Sequence, residues 1–177
     1  MQLSGFDLQQ DHFRLFGLPR SFAIDATQLD QHYRALQAQV HPDKSAHLSE
    51  AEQRLAMQHS TQVNEAYQTL RKPLARARYL LSLQGVDTQE ETNTAMPLDF
   101  LMEQMEWREA VAEARDVEVL DELEARLHRE TRELETQLAG KIDADKNYAD
   151  AAGLVRKLRF MEKLAEEIHS AYDEIDN

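Results

Sequence analysis

An all-α fold follows from three features of the sequence. Leu, Ala, Glu, Gln and Arg, all strong helix formers, crowd the chain. Five Gly and four Pro among 177 residues leave few places where a helix must break. Apolar residues recur at three- and four-residue spacing, and no segment alternates as a half-buried strand does.

The elements can be placed in order. Asp11 is a good N-cap, and Gly17 before Pro19 ends a short first helix. Asp25 with Gln28 resembles a capping box, flanked by Ile24 and Leu29 as a hydrophobic staple. Leu29, Tyr33, Leu36 and Val40 then make an amphipathic helix that stops near His41, because Pro42 disfavours helical geometry in the residue before it. After a loop over 41–48, Ser49 and Glu52 form a second capping box. Leu55, Val63, Ala66, Tyr67 and Leu70 mark the inner face of the helix that follows, with His59 expected as a half-buried packing residue. Pro73 suits the first turn of a fourth helix through LARARYLLSL.

Polar residues then predominate from Gly85 to Ala95, and this stretch reads as a linker. Beyond Pro97 three longer helices are expected. The first covers 98–115. The second starts at Asp116, carries Leu120, Leu123, Leu127, Leu134 and Leu138 on one stripe, and ends near Gly140. The third covers about 146–173, with Leu154, Leu158, Met161, Ala165 and Ile168 together. Short turns between them predict an antiparallel bundle.

Charge divides the chain at the same place. The net charge is −13, but residues 1–80 carry +1 and residues 81–177 carry −14. Two modules with different partners fit this asymmetry, and the acidic half disfavours a nucleic-acid backbone as partner. Arg71, Lys72, Arg76 and Arg78 fit a solvated helix end or an ion-paired cluster better than a nucleic-acid contact. No stretch approaches the ~20 apolar residues of a membrane span. The first residues lack the features of a signal peptide, so a cytoplasmic location is expected. Zero Cys excludes disulfides and thiolate-held metals. The seven His show no ligand spacing, so no cofactor is expected.

Function concentrates in two places. The first is HYRALQAQVHPDKSA, which sets His41, Pro42 and Asp43 between two amphipathic helices. His41 as a general base oriented by Asp43 would need a nucleophile or metal and a pocket, which a helix hairpin does not supply. A carboxylate and an imidazole locked by Pro suit recognition: Asp43 can pair with an Arg of another protein, and Pro42 reduces the entropy lost on docking. The second is the helix over 98–115. On a wheel, Leu98, Leu101, Met102 and Met105 lie on one side, while Phe100, Trp107, Val111 and Ala114 lie nearly opposite. Two apolar stripes imply either full burial in the bundle or one core face and one face for a partner, and Glu103, Glu106, Arg108 and Glu109 on the same helix favour the partner. The Trp107 stripe runs to the helix end and is expected in the core. The Met102 stripe, extended by Phe160 from the last helix, is expected in solvent; Met suits an adaptable binding surface.

The flanking residues carry a resemblance. Tyr33 and Leu36 before the His-Pro-Asp loop, Lys44 after it, and VNEAYQTL on the next helix resemble the J-domain of DnaJ-type co-chaperones. DHFRLFGLP, LRKPLARARYLLSLQG, FLMEQMEWREA and VRKLRFMEKL extend the likeness over nearly the whole chain to the HscB family, J-proteins of bacterial iron–sulfur cluster assembly. The resemblance implies a J-domain over 1–84, a linker over 85–92 and a three-helix scaffold-binding bundle over 93–177. It implies two partners: an HscA-type DnaK-class ATPase chaperone, met by His41, Pro42, Asp43, Arg34 and Lys44, and an IscU-type scaffold, met by Leu101, Met102, Met105, Glu106, Glu109 and Phe160. The implied activity is co-chaperone rather than enzyme. Only Arg34 is basic in the helix before the loop, fewer than J-domains usually carry, which implies a modest chaperone affinity. A J-protein for general unfolded clients and a purely structural helical adaptor are the other functions that fit these residues.

Overall fold

The computed structural model describes Asp7 and residues 9–44, 46–93 and 95–175. The helices are α1 (His12–Leu15), α2 (Ala26–Val40), α3 (Glu50–Arg71), α4 (Pro73–Leu83), α5 (Leu98–Glu113), α6 (Val117–Ala139) and α7 (Tyr148–Ile175). A 3-10 turn spans Pro42–Lys44 and a π-helical turn spans Gly140–Ala144. Local chemistry sets the ends. The Asp11, Asp25 and Asp116 carboxylates each accept from a backbone N–H in the first turn, and Ser49 with Glu52 forms the reciprocal capping box. Gly17 closes α1 at φ +63, where its N–H bonds the Arg14 carbonyl and Leu18 bonds that of Phe13.

Two compact units meet in sequence between Leu80 and Leu81. In the first, α2 packs along α3, and α1 and the 3-10 turn also rest on α3. Phe13, Phe16, Leu29, Val40, Val63 and Leu70 are its most deeply buried large apolar side chains. Tyr33 and Tyr67 stack across the hairpin with centroids 3.9 Å apart. Tyr33 donates to Asn64 Oδ1 at 2.9 Å and Tyr67 to Asp30 Oδ1 at 2.8 Å, so the pair joins α2 to α3 by both packing and hydrogen bonds. His59 is buried at 1% exposure, deeper than the half-buried position expected of it. In the basic cluster, Arg76 spends its charge internally: it donates to the carbonyls of Phe22 and Leu70, both at 2.7 Å, and lies over the Phe22 ring.

In the second unit α5, α6 and α7 pack together around Trp107, Leu120, Leu138, Val155, Leu164 and Ile168. Arg126 of α6 lies 4.2 Å over the Trp107 ring and pairs with Glu103 and Glu130, fastening α6 to α5. Two expectations change here, concerning Ala165 and the polar segment after α4. Leu164, not Ala165, continues the inner stripe of α7, and Ala165 is exposed. Both residues continue the three-and-four spacing from Met161, and the larger apolar side chain takes the core. The helix α6 ends at Gly140 as expected; Gly140 keeps helical dihedrals and leads into the π-helical turn, which buries Ile142. The polar segment after α4 is tied to this unit: Thr88 is buried at 4% exposure, its hydroxyl donates to Glu90, and its carbonyl accepts from Arg156 at 3.1 Å. A polar residue with both groups satisfied can be buried where composition alone suggests solvent.

Candidate functional site

The first site is the loop after α2. His41 takes extended geometry (φ −59, ψ 131), as the residue before a proline must, and this ends the helix. The Lys44 N–H then closes the turn on the His41 carbonyl at 3.0 Å. The Asp43 N–H donates to His41 Nδ1 at 3.3 Å, and the Asp43 carboxylate stands 3.5 Å from the same nitrogen. The two side chains are 53% and 91% exposed, so the carboxylate is presented and not buried in a pocket. Lys44 is exposed beside them. Arg34, also exposed, lies seven residues before His41 and therefore on the same face of α2. Gln53 donates to the Leu48 carbonyl at 2.9 Å and the Ala46 carbonyl at 3.3 Å, which steadies the second half of the loop. Pro42, Asp43 and Lys44 thus stand in one turn, with His41 at its start.

The second site is the outer face of α5. Two rows with the spacing i, i+4, i+7, i+11 run along this helix. Phe100, Gln104, Trp107 and Val111 are buried at 9, 3, 1 and 6% exposure. Leu98, Met102 and Met105 are 72, 55 and 71% exposed, and Glu109 ends that row, also exposed. Glu106 is exposed next to it. Two members of the expected patch sit deeper than expected. Leu101 is half-buried, because at 100° per residue it falls between the two rows. Phe160 is half-buried, because its ring meets Phe100 edge-on at 6.0 Å. Leu98, the most exposed of the large apolar residues here, belongs with the patch; its place on the Met102 side of the wheel was the signal for it.

The apolar row and the flanking carboxylates can bind a surface that offers an apolar patch beside cations, while the turn at His41 can dock a carboxylate against an arginine. Comparisons with known proteins assign the two regions to two families. The DnaJ domain family matches residues 11–79, and the HSCB C-terminal oligomerisation domain family matches residues 96–169. The chain is 58% identical over 170 residues to a co-chaperone protein HscB homolog of Chromobacterium violaceum, covering 96% of this chain and 97% of that one. It is 52% identical over 174 residues to the homolog of Azoarcus sp. (strain BH72), covering 97% and 98%. Among solved structures, chaperone HscB from Vibrio cholerae is similar with a TM-score of 0.83 and 39% identity, over 94% of this chain and 99% of that one. Human co-chaperone protein HscB is similar with a TM-score of 0.89 and 33% identity, over 97% and 85%. A His-Pro-Asp turn within the DnaJ match, a helical bundle with an exposed methionine row within the HSCB C-terminal match, and these full-length likenesses together show that the chain belongs to the HscB family of J-domain co-chaperones in iron–sulfur cluster assembly.

Proposed function

We propose that the chain works in the cytoplasm as an adaptor with no catalysis of its own, holding an IscU-type iron–sulfur scaffold and handing it to an HscA-type ATPase. The scaffold rests on Met102, Met105 and Leu98, with Leu101 and Phe160 at the margin and Glu106 and Glu109 pairing with its cations. His41, Pro42 and Asp43, flanked by Arg34 and Lys44, engage the chaperone and promote ATP hydrolysis there. Because one molecule holds client and chaperone together, client capture and hydrolysis are coupled by linkage.

The observation that carries this reading is the exposed Leu98, Met102 and Met105 row on the back of a helix whose other face is core. Water contact with so much apolar surface is unfavourable by about 25 cal/mol per Å², and a partner that covers it recovers that energy. The test is calorimetric titration of an IscU-type scaffold into the chain. Changing Met102 and Met105 together to Ser is expected to weaken binding by about 2 kcal/mol or more, roughly thirtyfold, since a few apolar anchors dominate an interface. The midpoint of thermal unfolding should stay near that of the unaltered chain. Unchanged affinity in the double variant would overturn the assignment.

A further inference from the structure

The second unit carries −14 overall, yet cations gather at one end of it. Lys141, Arg156 and Lys157 line an open groove of about 400 Å³ whose apolar wall includes Met96, Pro97 and Leu154. Lys141 is engaged by Asp145 at 3.2 Å and by Asp150, which also lines the groove, at 3.5 Å. The other two are not neutralised: among the described residues, Arg156 and Lys157 enter no ion pair. Arg156 is held in place by the Thr88 carbonyl at 3.1 Å, and its Nε is buried without a hydrogen-bond partner. The Lys157 ammonium stands 5.4 Å from the centre of the Phe100 ring, the same ring that Phe160 meets edge-on. The groove is therefore continuous with the apolar face in two ways, through Phe100 to Phe160 and through Pro97 to Leu98.

We infer that this groove receives an acidic residue of the scaffold protein, a carboxylate on an otherwise apolar segment, while the methionine row covers the neighbouring surface. The inference rests on the scaffold-binding reading above. Charge and shape select the occupant. An extended polyanion would meet the surrounding −14 and be repelled, whereas one side-chain carboxylate senses mainly the cations beside it. The groove is open, which suits a side chain presented from a partner's surface better than an enclosed small anion. The other end of the same row carries Glu109, with Glu106 beside it, about 17 and about 12 Å from Leu98 by helical rise. Cations at one end and carboxylates at the other give the apolar row a direction. A scaffold with the complementary pair of charges docks in one orientation, and the reversed one sets like charges together.

The experiment measures the affinity of an IscU-type scaffold for the full-length chain by calorimetry at low and at high sodium chloride. Lys157→Glu is expected to weaken binding roughly tenfold at low salt, with the deficit shrinking at high salt, as for a charge at an interface. Lys157→Arg should bind as the unaltered chain does. Lys163→Glu, which changes the net charge equally on α7 but outside the groove, should also bind normally. Should Lys157→Glu unfold, Lys157→Gln carries the same test with a smaller expected loss. Normal binding by the Lys157 variants overturns the inference, as does an equal loss in Lys163→Glu, or displacement of scaffold by inorganic phosphate at matched ionic strength. If the Met102→Ser, Met105→Ser variant loses binding while Lys157→Glu keeps it, the groove alone is refuted. If the unaltered chain binds no scaffold, the functional reading fails and takes the groove with it.

Discussion

His59 sits at 1% exposure in the middle of α3, and burial draws its pKa below the ordinary histidine value. The unfolded chain takes up a proton there as pH falls through about 6.5, while the native chain resists it. The stability tied to this residue is thus fully present above about pH 6.5 and is lost as pH falls from there toward the lowered native pKa. The slope for one such group cannot exceed about 1.4 kcal/mol per pH unit. His12 shifts in the same direction, its burial outweighing the opposing charges of Asp11 and Glu65. Asp11 itself is lowered: burial raises it, but the Arg14 N–H and Arg20 outweigh that, so its contribution is lost only in the more acidic carboxylate range. Urea unfolding at about pH 7.5 and 5.5 should show lower stability at the acid end, and His59→Asn should flatten the difference. An identical slope in the variant would remove His59 from the account. At the loop, His41→Gln and Asp43→Asn should each abolish stimulation of a DnaK-class ATPase while stability stays within about ±0.5 kcal/mol, because both side chains are exposed. A large loss of helicity in either would instead make the turn a structural device. These loop residues were legible from sequence, since the motif and its helix flanks are contiguous. Lys157 was not singled out, because its significance depends on which neighbours leave it unpaired.

At the scale of the helices, caps were the most legible feature, because a cap needs only residues within one turn of each other. Asp25, Ser49 and Asp116 all act where the spacing placed them. Ser49→Ala should cost about 1 kcal/mol by removing the α3 capping box, readable as a lower unfolding midpoint with an unchanged urea slope. No change at all would mean that Glu52 alone holds the helix start. Helix α5 shows how two apolar rows on one element divide their tasks. The Phe100 and Trp107 row is buried, and the Met102 and Met105 row is exposed. Trp107→Ala is expected to destabilise by roughly 3–5 kcal/mol, the cost of a large cavity, whereas the exposed methionines should tolerate Ser with little loss. Equal costs in the two rows would mean that the wheel does not separate core from surface. The misplacement of Ala165 for Leu164 has the same origin: two adjacent residues fit one spacing, and only the packing of α7 against its neighbours chooses between them.

For the whole molecule, the division near Leu80 coincides with the change from +1 to −14, so the near-neutral unit bears the His-Pro-Asp turn and the acidic unit the exposed methionine row. A fragment of residues 1–84 should fold and stimulate the ATPase weakly at high concentration, without any response to scaffold. An unfolded fragment would show that the boundary must move. Since Leu81 and the residues beyond it group with the second unit, a fragment ending at 84 keeps all of α4 but loses most of the unit to which its last residues belong. A lower unfolding midpoint than that of the full chain is therefore expected, measured by circular dichroism.

By itself the sequence determined that the chain is helical, where most helices start and stop, which face of α5 carries Trp107, and that a His-Pro-Asp turn joins two helices. All of these depend on periodicity and on groups a few residues apart, which a linear reading holds together. Only the tertiary structure decided the depth of Leu101 and Phe160, the burial of His59 and Thr88, and the meeting of Arg156 and Lys157 with Met96 and Pro97. Each of these depends on packing or pairing between residues distant in the chain. Burial and charge pairing are properties of neighbours in space, and no local pattern specifies them.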